Sequence, residues 1–407
     1  MATLPAEAAD GQVPSGYRVV GREALEPGID LFNLRQDRPP QNVHVARMAP
    51  GLSNRLRPVL SSDVLSGPTA GPETTSSMCA RVRCVVAVNG DFAGPSGALV
   101  GAMVARGEVF ATYGIPQWQL NFDAAGRATI HDGLDVGVQV NTVDGQGLGV
   151  HRVNRPLLDE NVNLYSRRWG PSTATGADTV EVIVGLVSPD VLPSGVTPVR
   201  TVALRSGGNS AIGPGQVVLA GRGAGARALT AFAQRASGGG ASLVVRTPAS
   251  QSIGAAPHLL SRGRLAFAPD EAGSFMQGQH PRTMFGVTAT GETLLVTVDG
   301  RQAGSTGMSL GEAAGFMAGL GASDAVNFDG GGSTTFVARG AVRNRPSEGS
   351  ERRVVSALAL VPAGDAAPLP AAPAAAPRTT PTDPASLLPD LVTALLQPLL
   401  NQLAGQP

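Results

Sequence analysis

Short runs of alternating or clustered apolar residues follow one another from Tyr17 to about Pro362, separated by glycine, proline, asparagine and aspartate. Runs of this length between turn-forming residues are typical of β-strands. The clearest predicted strands are Val43–Met48, Cys84–Val88, Val136–Val143, Thr179–Leu186, Gln216–Ala220 and Thr293–Val298. The pattern therefore predicts a domain, residues 17–362, that is built mainly from short strands.

Two segments are predicted to be helical, Ala226–Ala236 and about Leu310–Leu320. Ser309 and Glu312 have the spacing of a capping box at the start of the second helix, so Glu312 is first of all a helix cap. Many strands with few helices favour an α+β fold with mixed or antiparallel sheets in a single large catalytic domain.

The composition changes abruptly after Pro362. Residues 363–384 are mostly alanine, proline, threonine and aspartate, which predicts an extended linker. Leucines then recur at every fourth position from Leu387 to Leu403, and this period predicts an amphipathic helix over residues 385–407. The helix either docks on the domain or contacts a partner or a membrane surface. Residues 1–16 form an N-terminal tail.

Charge and length exclude some classes of protein. The formal net charge is zero, which gives no electrostatic basis for binding nucleic acid. No stretch reaches the ~18–20 apolar residues that span a bilayer, so no transmembrane segment is predicted. Met1–Gly11 has neither a basic start nor an apolar run, so no signal peptide is present. The sequence contains no lysine, so its strongly basic side chains are all arginines. The planar guanidinium of arginine suits phosphate or carboxylate.

The two cysteines, Cys79 and Cys84, are five positions apart and form no CxxC motif, which argues against zinc. A disulfide is expected if the chain is exported, and two buried thiols if it is not. We favour the disulfide slightly.

The segment Asn327–Thr335 is the most informative part of the chain, because Asp329 directly precedes three glycines, Gly330, Gly331 and Gly332. Consecutive glycines are usually kept where the chain turns tightly or a ligand approaches the backbone. Free N–H groups beside the aspartate would suit an anion. A tight hairpin with a solvated aspartate explains the local sequence equally well.

Other polar clusters lie at the ends of predicted strands, where loops on a rigid sheet commonly form sites. They are His280-Pro281-Arg282-Thr283, Asp299-Gly300-Arg301, the Asn344 to Ser347 loop, Arg352-Arg353 and Asn89-Gly90-Asp91-Phe92. Each also has a structural explanation, since Asp299-Gly300 is a ready hairpin turn and Arg352-Arg353 fits a solvated surface.

Taken in order, these motifs resemble the phosphodiester glycosidase family. The core resemblance runs from His280 to Leu360, and Asn89 to Phe92, followed by Gly97, is similar to the family's N-terminal signature. The core motifs occupy residues 80–107 and 280–362, with a looser match between them. The resemblance implies a hydrolase that cleaves a glycosyl phosphodiester in a cell-surface or extracellular glycan, and hence a secreted or cell-envelope protein.

The chemistry of such a bond agrees with these residues. The leaving group departs as a phosphate monoester with a second pKa near ~6, so it needs little protonation. The second carboxylate of an ordinary glycosidase then becomes partly dispensable. A carboxylate near the anomeric carbon and fixed positive charge on the phosphate are still required, and guanidinium forks bind phosphate bidentately.

We therefore assign catalytic roles to Asp329 as nucleophile or general base, Asp91 as a second acid and His280 as proton donor or phosphate ligand. The predicted substrate and phosphate ligands are Arg282, Thr283, Asn89, Asn327, Gly330, Gly331, Gly332, Ser333, Thr334, Arg352, Asn344 and Ser347.

Two alternatives remain at this stage. The same fold could serve a non-catalytic carbohydrate-binding or exopolysaccharide-assembly protein. Calcium is the one metal that this sequence suggests, and no other cofactor is expected. Its ligands would be the side-chain oxygens of oxygen-rich loops, Asp91, Asp299 and Asp329 with Asn89 and Asn327.

Overall fold

A computed structural model describes residues 13–365 except 95–96, 115–116, 187–191, 193, 238–239 and 268–276. The predicted linker after residue 365 and the leucine-rich segment 385–407 lie outside these described residues, while Ala363–Asp365 form a 3-10 turn. The first thirteen strands are β1 Arg18–Glu26, β2 Ile29–Asp37, β3 Pro40–Met48, β4 Leu56–Leu60, β5 Val86–Asn89, β6 Met103–Ala105, β7 Glu108–Ala111, β8 Trp118–Phe122, β9 Ala128–Asp132, β10 Gly137–Thr142, β11 Gly147–Val150, β12 Arg152–Val153 and β13 Val162–Tyr165.

The remaining strands are β14 Val180–Leu186, β15 Gly195–Ser206, β16 Gln216–Gly221, β17 Ala241–Arg246, β18 Gln251–Gly254, β19 His258–Ser261, β20 Arg264–Leu265, β21 Arg282–Thr288, β22 Thr293–Val298, β23 Ala322–Asn327, β24 Phe336–Ala338, β25 Ala341–Val342 and β26 Ser356–Leu360. The α-helices with bounds inside the described residues are α1 Thr75–Arg81, α2 Ala224–Ala236 and α3 Leu310–Gly319.

The strands form four sheets. Sheet I has the order β1-β2-β3-β22-β21-β23-β19-β20, and sheet II has the order β11-β10-β17-β15-β14-β16-β13-β12. Sheet III is β7-β6-β18-β8-β9, and sheet IV is β25-β24-β5-β26-β4. Strands β12 and β13 pair in parallel, and the other pairs between described strands are antiparallel. The predicted α+β class with largely antiparallel sheets is confirmed.

The core that supports the site lies between sheets I and IV. One apolar cluster joins Phe285 and Val326 of sheet I to Val88 and Leu358 of sheet IV, with Phe122 of sheet III closing one side. Helix α3 packs on the opposite face of sheet I, and α1 packs on the outer face of sheet IV. The resulting order is helix, sheet, sheet, helix. Sheet II and α2 enclose a separate core.

The local predictions are confirmed at several points. Strand β22 has the predicted bounds, and α3 begins with the full capping box, in which Ser309 accepts from the Glu312 N–H and Glu312 accepts from the Ser309 N–H. Cys79 of α1 and Cys84 form a disulfide. Strand β5 begins two residues later than predicted, at Val86, because the disulfide holds Cys84 in the turn before it. In the described part of the chain, no helix has the length and apolar character needed to cross a membrane.

Candidate active site

Three strand ends bring the predicted site residues to one edge of the sandwich. Strand β5 of sheet IV ends at Asn89, while β23 ends at Asn327 and β21 begins at Arg282 in sheet I. The segment 327–335 crosses this edge from sheet I to sheet IV. Sequence positions almost 240 apart therefore become neighbours.

Asn89 is the residue that joins the two sheets at this edge. It is fully buried, its Nδ2 donates to the Asp329 carbonyl at 2.7 Å, and its Oδ1 accepts from the Thr283 hydroxyl at 2.7 Å. The same Oδ1 accepts from the Thr335 N–H at 3.1 Å. A buried amide with this many partners fixes backbone position. Asn89 and Thr283, both predicted to bind substrate, thus hold the backbone around Asp329.

The glycine run, Gly330–Gly332, is explained by the protein atoms that pack closely against it. A Cβ on Gly330 would lie 2.7 Å from the Pro281 carbonyl oxygen. Gly331 has a φ of 60°, and a Cβ there would lie 3.3 Å from a nitrogen of the Arg301 guanidinium. A Cβ on Gly332 would overlap side chains from the loop before β26. Gly330 and Gly331 therefore require glycine, whereas a side chain at position 332 would displace the flexible ends of Glu348 and Arg352.

The Asp329 side chain is half-buried, so it lies neither in the core nor free in solvent. Burial raises its pKa to about 6, and this shift is opposed by the Ser333 side chain, the positive charge of Arg352 and the Gly330 N–H. At neutral pH the carboxylate is ionised but close to the pH at which it takes up a proton. Such a group can act as a base or a nucleophile.

Arg282 is fully buried and is turned toward helix α3. Its Nε donates to the Met308 carbonyl at 2.8 Å and its Nη2 donates to the Gly278 carbonyl at 3.0 Å. Burial lowers its pKa to about 10, so it is still charged at neutral pH. These bonds give it a role in fixing the start of β21, rather than the exposed position expected of a phosphate ligand.

Arg301 lies beside Gly331, and Arg352 lies beside Gly332. Arg352 is about two-fifths exposed and forms a two-pronged ion pair with Glu348 above Gly332. Arg301 is exposed beside Gly331, and its Nε and Nη2 both lie 3.3 Å from Nδ1 of His280.

His280 is uncharged at neutral pH. Burial lowers its pKa to about 4, and the positive charges of Arg282 and Arg301 add to this effect. Because Nδ1 accepts from Arg301, the ring proton is on Nε2. A ring that is unprotonated at neutral pH has no imidazolium proton to give, which favours the predicted phosphate-side role over that of proton donor.

Asp91 is surrounded by protein donors. It is 1% exposed, and its carboxylate accepts from the Gly101 N–H at 2.6 Å, the Gln117 amide at 2.6 Å and the Phe92 N–H at 2.8 Å. Burial raises its pKa to about 6, while the Gln117 and backbone bonds oppose the shift. These contacts favour a positioning role over that of the predicted second acid.

The other predicted ligands divide into two groups. Asn344 is structural, because its Oδ1 accepts from the Phe336 N–H at 2.8 Å and its Nδ2 donates to the Thr334 carbonyl at 3.0 Å. In contrast, Asn327 Oδ1, Thr334 Oγ1 and Ser347 Oγ are buried without a hydrogen-bond partner among the described residues. Buried polar atoms are normally paired, so these three retain capacity for a ligand or water.

Asp299, the predicted calcium ligand, is engaged with protein groups. Its Oδ1 accepts from the Arg345 N–H at 3.0 Å, and its Oδ2 lies 3.8 Å from Nε2 of His44. Within the part of the chain that the structure describes, no cluster of three or more His, Cys, Asp or Glu side chains is placed to hold a metal ion. Calcium binding by these loops stays a prediction.

Two residues beside the glycine run were not assigned from the sequence. Arg301 carried a signal, since it follows Asp299-Gly300 at a predicted turn, but its neighbours could not be identified from that motif. Glu348 carried little signal beyond its position four residues before Arg352. Both are recognised only through their contacts across the loops.

A sequence model of the family described as phosphodiester glycosidase matches residues 193–361. The matched part contains the whole glycine run together with Arg301 and Arg352, and it confirms the resemblance there. It does not reach Asn89, although that residue contacts Asp329. No curated protein matches the chain.

Solved structures share the fold. A hypothetical protein from Synechocystis superposes with a TM-score of 0.62 at 22% identity, over 82% of this chain and 62% of that one. The chain thus spans less than two thirds of that relative's length. A candidate exported protein from Burkholderia pseudomallei K96243 gives a TM-score of 0.58 at 26% identity, over 82% of this chain and 74% of that one.

A third similar structure is the catalytic domain of zebrafish N-acetylglucosamine-1-phosphodiester alpha-N-acetylglucosaminidase, auto-inhibited by its pro-peptide. It gives a TM-score of 0.45 at 15% identity, over 87% of this chain and 90% of that one. This distant similarity carries no argument about the chemistry of the present chain.

Proposed function

Because residues 193–361 match the phosphodiester glycosidase family, we propose that this chain is a hydrolase that cleaves the bond between the anomeric carbon of a sugar and a phosphodiester. The proposal depends on the position and the pKa of Asp329. This residue lies inside the matched residues, is half-buried, has a pKa raised to about 6, and is flanked by the guanidinium of Arg352.

One reactive carboxylate is enough for this reaction. Asp329 acts as the nucleophile or as the base that activates water. The departing oxygen belongs to a phosphate monoester, which is stable as an anion and needs little protonation. This requirement fits a site in which Asp91 contacts protein donors and His280 is neutral.

The proposed substrate is a cell-surface or extracellular glycan. Two observations support export: the Cys79–Cys84 disulfide, since such bonds persist in oxidising compartments, and the fold shared with a candidate exported protein from Burkholderia pseudomallei. The alternative function is a non-catalytic carbohydrate-binding or exopolysaccharide-assembly protein with the same site.

Asp329→Asn separates the two functions, because it keeps the size of the side chain and removes the charge. We expect it to lower the rate on a glycosyl phosphodiester by roughly 10²–10⁴-fold, while sugar 1-phosphate still binds and the melting temperature changes little. The matched control is Asp324→Asn, a half-buried aspartate earlier on β23 whose Oδ1 accepts from the Arg262 N–H. Turnover, calorimetric binding and thermal melting are measured on all three proteins.

The outcomes are distinct. Equal turnover by the parent and the Asp329→Asn protein would remove Asp329 from the reaction. A parent that binds sugar phosphate but hydrolyses no glycosyl phosphodiester would favour the binding protein. An unfolded Asp329→Asn protein beside a folded Asp324→Asn protein would make Asp329 a structural residue.

A further inference from the structure

Arg301 has an unusual position beside the glycine run. It lies in the turn after β22, has a φ of 56°, and is exposed. Few residues other than glycine, asparagine and aspartate adopt a positive φ, so the turn holds this arginine in a disfavoured backbone conformation. Its guanidinium lies against Gly331, two residues after Asp329 in the chain.

The three guanidiniums around the run differ in their partners. Arg282 is buried and donates to carbonyls, and Arg352 is paired with Glu348. Arg301, by contrast, has no carboxylate within ion-pair distance in the described part of the chain, and its side-chain contacts are to His280 Nδ1. Of these three guanidiniums, Arg301 is therefore the one that is exposed and whose charge is not paired with a carboxylate, so it can bind an anion.

His280 holds Arg301 in place. Its backbone is fixed by two hydrogen bonds with Met308, N–H to carbonyl at 3.2 Å and carbonyl to N–H at 2.9 Å. Nδ1 receives the Nε side of the Arg301 fork, which leaves the Nη1 hydrogens and one Nη2 hydrogen directed elsewhere. Two parallel N–H groups on one edge of the planar guanidinium match two oxygens of a phosphate.

We propose that Arg301 binds the phosphate of the substrate and that His280 is a positioning residue that orients the guanidinium. This inference rests on the proposed function for the identity of the ligand, but its first test needs binding only. It places the phosphate next to Gly331, which the Arg301 guanidinium contacts.

The test measures calorimetric binding of inorganic phosphate and of glucose 1-phosphate to the full chain at pH 7. Arg301→Gln should weaken both at least tenfold, and Arg301→Lys should recover only part of the loss, because the charge returns without the fork. The matched control is Arg353→Gln, an exposed arginine that donates to the Pro72 carbonyl at 3.1 Å. It should bind both ligands like the parent.

A second pair of variants tests the positioning role. His280→Leu removes the acceptor and should weaken phosphate binding severalfold, whereas His280→Gln offers an amide oxygen and should restore most of it. A merely structural histidine would give no such rescue. Circular dichroism and melting temperatures are recorded for every variant.

Turnover distinguishes failure of this inference from failure of the proposed function. If the parent hydrolyses a glycosyl phosphodiester and Arg301→Gln binds and hydrolyses equally well, the inference is overturned and the function stands. If the parent does not hydrolyse it but Arg301→Gln loses phosphate binding, the inference stands on a binding protein. A parent that binds neither phosphate nor glucose 1-phosphate overturns the assignment of Arg301.

Discussion

At the residue scale, Asp329 and Asp91 have similar pKa values but differ in how far a substrate can reach them. Burial raises the pKa of both Asp329 and Asp91 to about 6. Asp91 is 1% exposed and bonded to the Gly101 N–H and the Gln117 amide, while Asp329 is half-buried beside a guanidinium. A raised pKa marks a candidate, but only a group that a substrate can reach can react with it.

The pKa of Asp329 predicts an acid limb in the rate. If the ionised carboxylate is the reactive form, kcat/KM on a glycosyl phosphodiester should fall about tenfold per pH unit below about pH 6. The measurement is kcat/KM between pH 4.5 and 8 in buffers of constant ionic strength. A rate that stays constant down to pH 4.5 would contradict a role for ionised Asp329.

Protonation of Asp329 and Asp91 would not unfold the protein in acid, so it cannot cause the expected fall in rate by that route. Both pKa values are raised above the ordinary value of 3.8, so the folded state binds more protons than the unfolded state between about pH 4 and 6. The contribution of each group to stability is fully present below about pH 4 and is lost as the pH rises through about 6. Melting temperatures recorded across the same range serve as the control.

At the scale of elements, the site depends on the ends of β5 and β21, whose positions are fixed by neighbouring helices and by the disulfide. Helix α1 and the Cys79–Cys84 disulfide lie immediately before β5, the strand that ends at Asn89. The capping box fixes the first turn of α3, next to Met308, whose carbonyl holds Arg282. Short elements with well-defined ends thus set the positions of the loops between them.

The disulfide should contribute to stability rather than to activity. In the chain-entropy account, a link that closes so short a loop stabilises the folded state by about 2 kcal/mol. We expect the Cys79→Ala, Cys84→Ala double variant to lose about that much free energy of unfolding in urea, and to keep its turnover because Asn89 retains its bonds to Asp329 and Thr283. Dithiothreitol should destabilise the parent and leave the double variant unchanged. Equal unfolding curves for the two oxidised proteins would refute the prediction.

At the scale of the whole molecule, strand β26 completes the sheet that carries Asn89. Strand β26 pairs with both β4 and β5, and Val361 donates to the Arg55 carbonyl at 3.0 Å, which closes sheet IV. The contacts described above around Asp329 come from residues between Asn89 and Arg352, which all lie before β26.

A chain that ends after Asp365 should therefore keep its fold and its activity. Removing residues 366–407 should change the melting temperature by no more than about 2 °C, because surface changes away from special features have small effects. Turnover of a small substrate should match that of the full chain. A large fall in melting temperature would mean that the leucine-rich segment packs on the domain, the other outcome that its sequence allows.

The sequence alone determined the features that depend on nearby residues. Alternating apolar positions gave the α+β class and the bounds of β22, and the Ser309–Glu312 spacing gave the capped start of α3. The glycine run after Asp329 was recognisable for the same reason, since tight turns have local requirements. The order of the motifs predicted a family resemblance with core motifs at residues 80–107 and 280–362, and the family model confirms it over residues 193–361.

Only the tertiary structure decided which polar side chains face the site. Arg282 and Arg301 are alike in sequence, each beside a strand end, yet one is fully buried against α3 and the other is exposed at the glycine run. Asn89 and Asp329 are 240 residues apart in the chain and are joined by one hydrogen bond. Burial and partners depend on what other parts of the chain bring to each side chain, and no local pattern encodes that.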